Sequence, residues 1–187
     1  MPRRDDLNSI LVLGSGPIKI GQAAEFDFSG SQAVRALRED GYEVILVNSN
    51  PATIQNDPEM ADRVYIEPLL PDTVRKILEI EKPDALLAGM GGQTALNIAS
   101  ELSHDGTLER LNVELIGSDL DAIDKAEDRE LFNQVCESID LPISKAIACN
   151  SMDEVINAAE EIGSWPILIR PAFTLGGLGG GTAFDMG

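Results

Sequence analysis

The chain of 187 residues is long enough for one ordinary domain, or for one domain and part of a second. Lysine and arginine number 14 against 32 aspartates and glutamates, and the resulting formal charge of −18 argues against a nucleic-acid-binding protein or one that docks on anionic membrane. Hydrophobic residues make up 43% of the chain, so it can build a buried core rather than remain disordered.

The cysteines, the single histidine and the lengths of the apolar runs indicate the cellular compartment and the kinds of site that the chain can form. The two cysteines, Cys136 and Cys149, form no CxxC pair, which favours a reducing cytoplasm over a disulfide framework. His104 is the single histidine, so the sequence offers no histidine pair for catalysis or for a His-rich zinc site. No run approaches the roughly 18 apolar residues that a membrane span needs. The sequence therefore predicts a cytoplasmic protein without a membrane span.

Strand and helix signals alternate through the first two thirds of the chain. Short apolar runs that end in glycine, asparagine or proline predict strands, and apolar residues at helical spacing predict helices between them. The predicted elements are strands over 9–13, 43–47, 64–66, 84–87 and 113–116, with helices over 29–39, 71–80 and 94–102. This alternation predicts an α/β fold whose parallel sheet is doubly wound, because crossovers between parallel strands are right-handed.

The pattern changes near residue 118. The elements predicted after it are helices over 120–125, 129–139 and about 151–162, and strands over 144–149 and 166–169. Ser151 followed by Glu154 three residues later forms a capping box at the start of the last helix. We place a domain boundary between about 118 and 130, which gives a Rossmann-like domain over 1–125 and the opening α/β segment of a second domain over 126–187.

Three turns follow predicted strands, at the edge where open α/β sheets bind ligands. We expect their tips, at Gly16, Asn50 and Gly91, to lie along one edge of the sheet. The first turn has Lys19 where a dinucleotide fingerprint needs its third glycine, and the second strand ends in Asn48 where that fingerprint needs an acidic residue. Nicotinamide cofactor binding is therefore disfavoured.

A glycine-rich run near the end of the chain is the most informative feature. Arg170 and Pro171 precede it, and five of the six residues 176–181 are glycine. Such a run does not suit the interior of a helix or strand, and it suits a mobile segment whose backbone closes over a polyphosphate. Arg170 supplies a positive charge and a fork of N–H donors that matches phosphate oxygens. A flexible linker is the alternative, which the preceding buried strand disfavours.

Several stretches, in order and from the first residues to the last, resemble the amino-terminal part of the large subunit of carbamoyl phosphate synthetase. The matching stretches are 14–22, 25–30, 47–54, 57–62, 90–97, 124–129 and 169–177. The sequences Asn-Pro-Ala-Thr and Ser-Gly-Ser-Gln-Ala resemble the first of the two related halves of that subunit, the half that makes carboxyphosphate. The resemblance implies a pre-ATP-grasp domain followed by the start of an ATP-grasp domain.

The resemblance also implies particular site residues. In the family, the arginines of the Glu-Asp-Arg and Arg-Pro motifs and the first two glycines of the glycine-rich loop contact ATP. In this chain these residues are Arg129, Arg170, Gly176 and Gly177. The carboxylate ligands of Mg²⁺ and the adenine cleft belong to parts of the family outside this chain, so the resemblance assigns it no catalytic residue and no metal ligand.

The implied reaction begins with phosphorylation of bicarbonate by ATP to carboxyphosphate. Ammonia from a glutaminase small subunit then gives carbamate, and a second ATP makes carbamoyl phosphate for arginine and pyrimidine synthesis. The implied partners are that small subunit and the remainder of the large subunit, and we expect the chain alone to be inactive. A non-catalytic Rossmann-like module that binds a nucleotide or organises subunits is the alternative, and an oxidoreductase domain is disfavoured.

We predict that the stability of the chain rises with added salt, more than for a neutral domain of this size. The net charge of −18 repels itself in the compact state. Salt screens this repulsion, because the Debye length shortens from about 10 Å at 0.1 M to about 3 Å at 1 M. The melting temperature from low to molar KCl is the measurement, and a flat response contradicts the prediction.

Overall fold

Seven helices and seven strands form the part of the chain that the computed structural model describes, residues 3–17, 25–171 and 179–186. In chain order they are β1 (Ser9–Leu13), α1 (Glu25–Glu39), β2 (Glu43–Val47), β3 (Arg63–Tyr65), α2 (Pro71–Glu81), β4 (Ala85–Leu87), α3 (Gly92–His104), α4 (Thr107–Leu111), β5 (Glu114–Ile116), α5 (Leu120–Glu127), α6 (Arg129–Ser138), α7 (Met152–Ile162), β6 (Ile167–Ile169) and β7 (Gly181–Ala183). A 3-10 helix, Ile54–Asn56, follows β2. None of the helices described combines the length and hydrophobicity that a bilayer crossing needs.

The chain divides into two compact units, Met1–Phe132 and Asn133–Gly187. The first unit holds a five-stranded parallel sheet in the order β3-β2-β1-β4-β5. Strand β1 pairs with β2 from Ser9 opposite Glu43 to Leu13 opposite Val47. The strand order reverses between β1 and β4, which confirms the predicted doubly wound sheet.

Alternate residues of the central strands enter two separate apolar clusters, one on each face of the sheet. Leu11 and Leu13 of β1 pack with residues of α2 and α3, including Leu78 and Leu102. Their neighbours along β1 pack on the other face with Val34 of α1. Because side chains alternate across a strand, a strand that is apolar throughout must be covered on both faces.

The second unit is smaller and contains the helix α7 and a two-stranded antiparallel sheet. Strands β6 and β7 pair from Ile167 opposite Ala183 to Ile169 opposite Gly181. The predicted cap of α7 is confirmed, since Ser151 Oγ accepts a hydrogen bond from the Glu154 amide at 3.3 Å. In a capping box the Glu154 side chain would accept from the amide of the cap residue, Ser151. Here Glu154 Oε2 accepts from the amide of Asn150 instead, at 2.7 Å.

The strand predicted over 144–149 is wrong, because residues 141–149 contain neither helix nor strand. A short apolar run makes a strand only where a partner completes its hydrogen-bond ladder. Strand β6 pairs with β7, an element that the sequence analysis did not predict and that begins at Gly181 of the glycine-rich run. Helix α4 was also missed; it is five residues long and depends on tertiary contacts such as the one from Arg75 Nε to Thr107 Oγ1 at 3.2 Å.

We predict that Asp84→Asn lowers stability at neutral pH by about 1 kcal/mol, because Asp84 Oδ2 accepts from the Asn8 and Ser9 amides at 2.7 and 3.0 Å. These backbone hydrogen bonds lower the pKa of Asp84. The stabilisation is therefore complete above the unfolded pKa of about 3.9 and disappears as the pH falls through the lower folded value.

Urea unfolding of the wild type and of Asp84→Asn, at pH 7 and then through the acid range, measures this difference. The gap between the two proteins should close in acid. Asp5→Asn makes the same change of charge at an exposed position and serves as the control. An equal effect of both substitutions on the pH dependence contradicts the assignment to Asp84.

Candidate functional site

The turns after β1, β2 and β4 meet at the carboxyl edge of the parallel sheet, as predicted. The Gly16 amide donates to Asn48 Oδ1 at 2.9 Å, which ties the first turn to the second. A side chain at Gly91 would start only 2.6 Å from the carbonyl oxygen of Gly14. The third turn is thus in contact with the first.

A buried amide pair fills the edge where a dinucleotide would be held. Asn48 and Gln55 are both fully buried, and Asn48 Nδ2 donates to Gln55 Oε1 at 2.8 Å. A side chain at Gly30 of α1 would start 1.7 Å from Gln55 Nε2. Asn48 therefore faces inward and holds the first turn, at the position where a dinucleotide-binding protein presents an acidic residue to ribose.

The cleft beside this pair is lined mostly by apolar and neutral residues. It has a volume of about 430 Å³, and its lining consists of Ser15, Gly16, Pro17, Ser49, Thr94 and residues 66–70. Glu67 is the charged residue of the lining, and it is an acid. Among the described residues the lining offers a polyphosphate hydroxyl groups and no cation, and Glu67 would repel it. The described part of the carboxyl edge therefore gives no support to the alternative of a nucleotide-binding Rossmann module.

Arg129 lies at a sharp corner between two helices. It is the first residue of α6, and its side chain lies outside the described part of the structure. Asp128 ends α5, where its amide donates to the Asp124 carbonyl at 2.9 Å. Its carboxylate accepts from the amides of Glu130 and Leu131 at 2.8 and 2.9 Å. Asp128 is thus a cap for both helices, and it fixes the backbone of Arg129 at the start of α6.

Arg170 follows strand β6 directly and is exposed. Among the described residues it has no ion-pair partner, whereas arginines such as Arg63 and Arg75 each pair with two carboxylates. The pairing of Ile169 with Gly181 joins the two ends of the glycine-rich segment beside it. Arg170 therefore lies at the base of the segment that connects β6 to β7.

Pro171 and Gly179 also meet at the base of this loop. Gly179 has a φ of +73°, and a side chain there would start 3.2 Å from Pro171 Cγ. A glycine is required at this point, because a left-handed backbone and a close neighbour coincide.

The sequence-predicted ATP contacts have different outcomes. Arg129 and Arg170 fall in different compact units, and each is described within its own. Gly176 and Gly177 lie outside the described residues, as does Leu178, and these three residues are half of the segment predicted to be mobile. Over 3–17, 25–171 and 179–186, no group of three His, Cys, Asp or Glu side chains is arranged to hold a metal ion. Sequence reasoning missed Gln55 and Asp128, because a capping or buried role leaves no distinctive motif.

Comparison with known proteins identifies the family. The profile described as "Carbamoyl phosphate synthase preATP-grasp domain" matches residues 6–125. The chain belongs to the carbamoyl phosphate synthase family. A second profile, "Carbamoyl-phosphate synthase L chain, ATP binding domain", matches residues 128–186 of this family member.

Relatives in this family are similar along nearly the whole chain. The carbamoyl phosphate synthase large chain of Synechocystis is 60% identical over 185 residues, which cover 99% of this chain and 17% of the relative. The large chain of Archaeoglobus fulgidus has the same identity and coverage. The N-terminal section of the large chain of Aquifex aeolicus is 57% identical over 186 residues and 33% of its length. The chain thus spans about a sixth to a third of the length of these relatives.

Solved structures support the fold. The biotin carboxylase domain of the Hydrogenobacter thermophilus 2-oxoglutarate carboxylase aligns with a TM-score of 0.68 at 17% identity, over 96% of this chain and 38% of that one. The N5-carboxyaminoimidazole ribonucleotide synthetase purK aligns with a TM-score of 0.59 at 15% identity, over 96% and 41%. At these identities the likeness concerns the fold alone.

We predict that Gly30→Ala destabilises the chain by about 2 kcal/mol, although alanine normally favours a helix. The added methyl group has no room beside the fully buried Gln55 side chain. Gly89→Ala is the matched control, because a side chain there meets nothing within 4 Å. Urea unfolding measures both variants, and equal stabilities for the two would show that the Gln55 contact is not tight.

Proposed function

We propose that this chain forms the amino-terminal part of a carbamoyl phosphate synthase large chain, in the half that uses ATP to phosphorylate bicarbonate to carboxyphosphate. The supporting observation is the match of two consecutive family profiles, the preATP-grasp domain over 6–125 and the ATP binding domain over 128–186. We further propose the division of the chain into a preATP-grasp domain, 1–125, and the start of an ATP-grasp domain, 126–187.

Arg170 is the residue on which the proposed ATP contact depends most. Its guanidinium is exposed, and no carboxylate among the described residues pairs with it. In a chain with a net charge of −18, a cation without an acidic partner is suited to binding an anion. The forked donors of arginine match phosphate oxygens, and the resulting charge-assisted hydrogen bonds are stronger than neutral ones.

In this proposal, the glycine-rich loop contacts ATP through its backbone rather than through side chains. Because Ile169 pairs with Gly181, the segment that contains these glycines begins and ends beside Arg170. We propose that Gly176 and Gly177, within this loop, donate backbone N–H groups to the same phosphates. Glycine allows such a close approach because it has no side chain to separate the backbone from the ligand.

Arg129 is the second proposed ATP-binding arginine. Its backbone is fixed at the first position of α6 by the Asp128 cap. The Asp128 carboxylate already accepts from free amides of the first turn of α6, so in this proposal Arg129 contacts ATP through its side chain. Arg129 and Arg170 bind and orient in this proposal, and neither transfers a proton.

ATP with Mg²⁺ would supply the phosphoryl group when bound, with the metal neutralising charge on the transferring phosphate. The described residues offer arginine contacts for the phosphates and no cluster of metal ligands. We therefore propose that this chain supplies part of the phosphate contacts, and that the metal ligands come from the rest of the large chain. The remaining proposed partners are a glutaminase small subunit and the substrates bicarbonate and ammonia, in the cytoplasm.

Replacing Arg170 tests the proposal. In the whole large chain that carries these residues, Arg170→Ala should raise the KM for ATP of bicarbonate-dependent ATP hydrolysis by about tenfold or more, since a hydrogen bond to a charged group contributes roughly 1.5–3 kcal/mol. Arg170→Lys keeps the charge but loses the fork, so it should fall between alanine and the wild type.

Arg75→Ala is the control for this experiment. Arg75 is paired with Asp72 and Asp105 on the surface of the first unit, so its loss should leave the KM for ATP unchanged. An Arg170→Ala enzyme with an unchanged KM for ATP would show that Arg170 makes no contact with the nucleotide.

A further inference from the structure

Helix α5 is held to the first unit mainly by polar contacts. Its eight residues bury a single side chain completely, that of Ile123. Isolated helices of this length are marginal in water, so α5 depends on its contacts with the rest of the unit. The orientation of α5 must therefore depend on further contacts.

One face of α3 supplies those contacts. Gln93, Ser100 and His104 are spaced by seven and four residues, which places them on one face of the helix. Gln93 Nε2 donates to Glu127 Oε2 at 2.6 Å. Ser100 Oγ donates to Asp124 Oδ1 at 3.2 Å.

The most connected residue of this interface is Asp124. His104 Nε2 lies 3.1 Å from Asp124 Oδ2, while the Ser100 hydroxyl contacts the other carboxylate oxygen. The ring of His104 is oriented in turn by a 3.1 Å contact between its Nδ1 and the Ser100 carbonyl oxygen. Asp124 is about two-thirds buried, since its side chain retains 32% exposure. Two side chains from α3 thus fix both oxygens of one carboxylate of α5.

The backbone of Asp124 connects this contact to Arg129. Its carbonyl accepts from the amide of Asp128 at 2.9 Å, and the Asp128 carboxylate caps α6. A rotation of α5 would therefore carry the start of α6 with it. All of these residues belong to the first compact unit.

We infer that Asp124, held by Ser100 and His104, is a positioning residue that sets the location of Arg129 for ATP binding. The inference rests on the proposed ATP contact of Arg129. Asp124 itself acts through the helix corner and makes no contact with the nucleotide. Its loss lets α5 turn about Ile123 and moves Arg129 away from its place.

The test is the KM for ATP of bicarbonate-dependent ATP hydrolysis by the whole large chain. Asp124→Ala should raise this KM by about tenfold with kcat changed less than about twofold, because a displaced binding residue weakens ground-state and transition-state binding alike. His104→Leu should raise it by about threefold, and His104→Gln, which keeps an N–H donor, should restore a near-normal value.

Asp121→Ala is the matched control. Asp121 lies on the same helix and pairs at 2.5 Å with Lys125 of α5, so its loss removes a carboxylate without touching α3. The KM for ATP should stay at the wild-type value in this variant. Melting temperatures of all variants exclude loss of folded protein as the cause of a change.

A double-mutant cycle separates positioning from general structural damage. If Asp124 acts through Arg129, the double variant Asp124→Ala/Arg129→Ala has the same KM for ATP as Arg129→Ala alone. Independent, multiplying effects overturn the inference, as does an unchanged KM in Asp124→Ala when Arg129→Ala raises it. An unchanged KM in Arg129→Ala itself overturns the proposed ATP contact and this inference with it.

Discussion

The fold depends on the burial of β1 on both faces. Four of its five residues are fully buried, and it hydrogen-bonds to β2 on one side and β4 on the other. Helices must cover both faces of such a strand, and its position at the reversal of strand order decides where the turns meet. At the amino end of β1, the Asp84 carboxylate accepts hydrogen bonds from the backbone amides of Asn8 and Ser9. The carboxyl edge with its three turns lies at the opposite end of the strands.

In this protein, contacts between the chain's own turns and side chains occupy that edge. In dinucleotide-binding relatives of the fold, glycines and an acidic residue at this point leave room for a ligand. Here the glycines make room for protein, since Gly14 and Gly30 approach the amides of Asn48 and Gln55. The described lining of the cleft that remains includes an acid, Glu67, and no basic residue. This is why the proposed ATP contacts lie outside the parallel sheet, at the α5–α6 corner and at the β6–β7 hairpin.

Ion pairing separates the arginines of the chain into two groups. Arg4, Arg63 and Arg75 each contact two carboxylates, and they link sequence-distant parts of the first unit, such as Arg4 to Glu114. Exposed pairs of this kind contribute little stability each, although they satisfy some of the excess acid. Arg170 differs, because no described carboxylate competes for its guanidinium.

The sequence alone determined the strands of the parallel sheet, most helices and the likeness to the family, because periodicity, glycine turns and motif order are local properties of the chain. It placed β1 and β2 at their observed bounds and named Arg129 and Arg170 from motifs. Only the tertiary structure decided that 144–149 is no strand and that Gly181 begins one, since a strand exists only with its partner. It alone brought Gln55 beside Gly30, and His104 beside Asp124, because side chains distant in sequence meet only when helices pack.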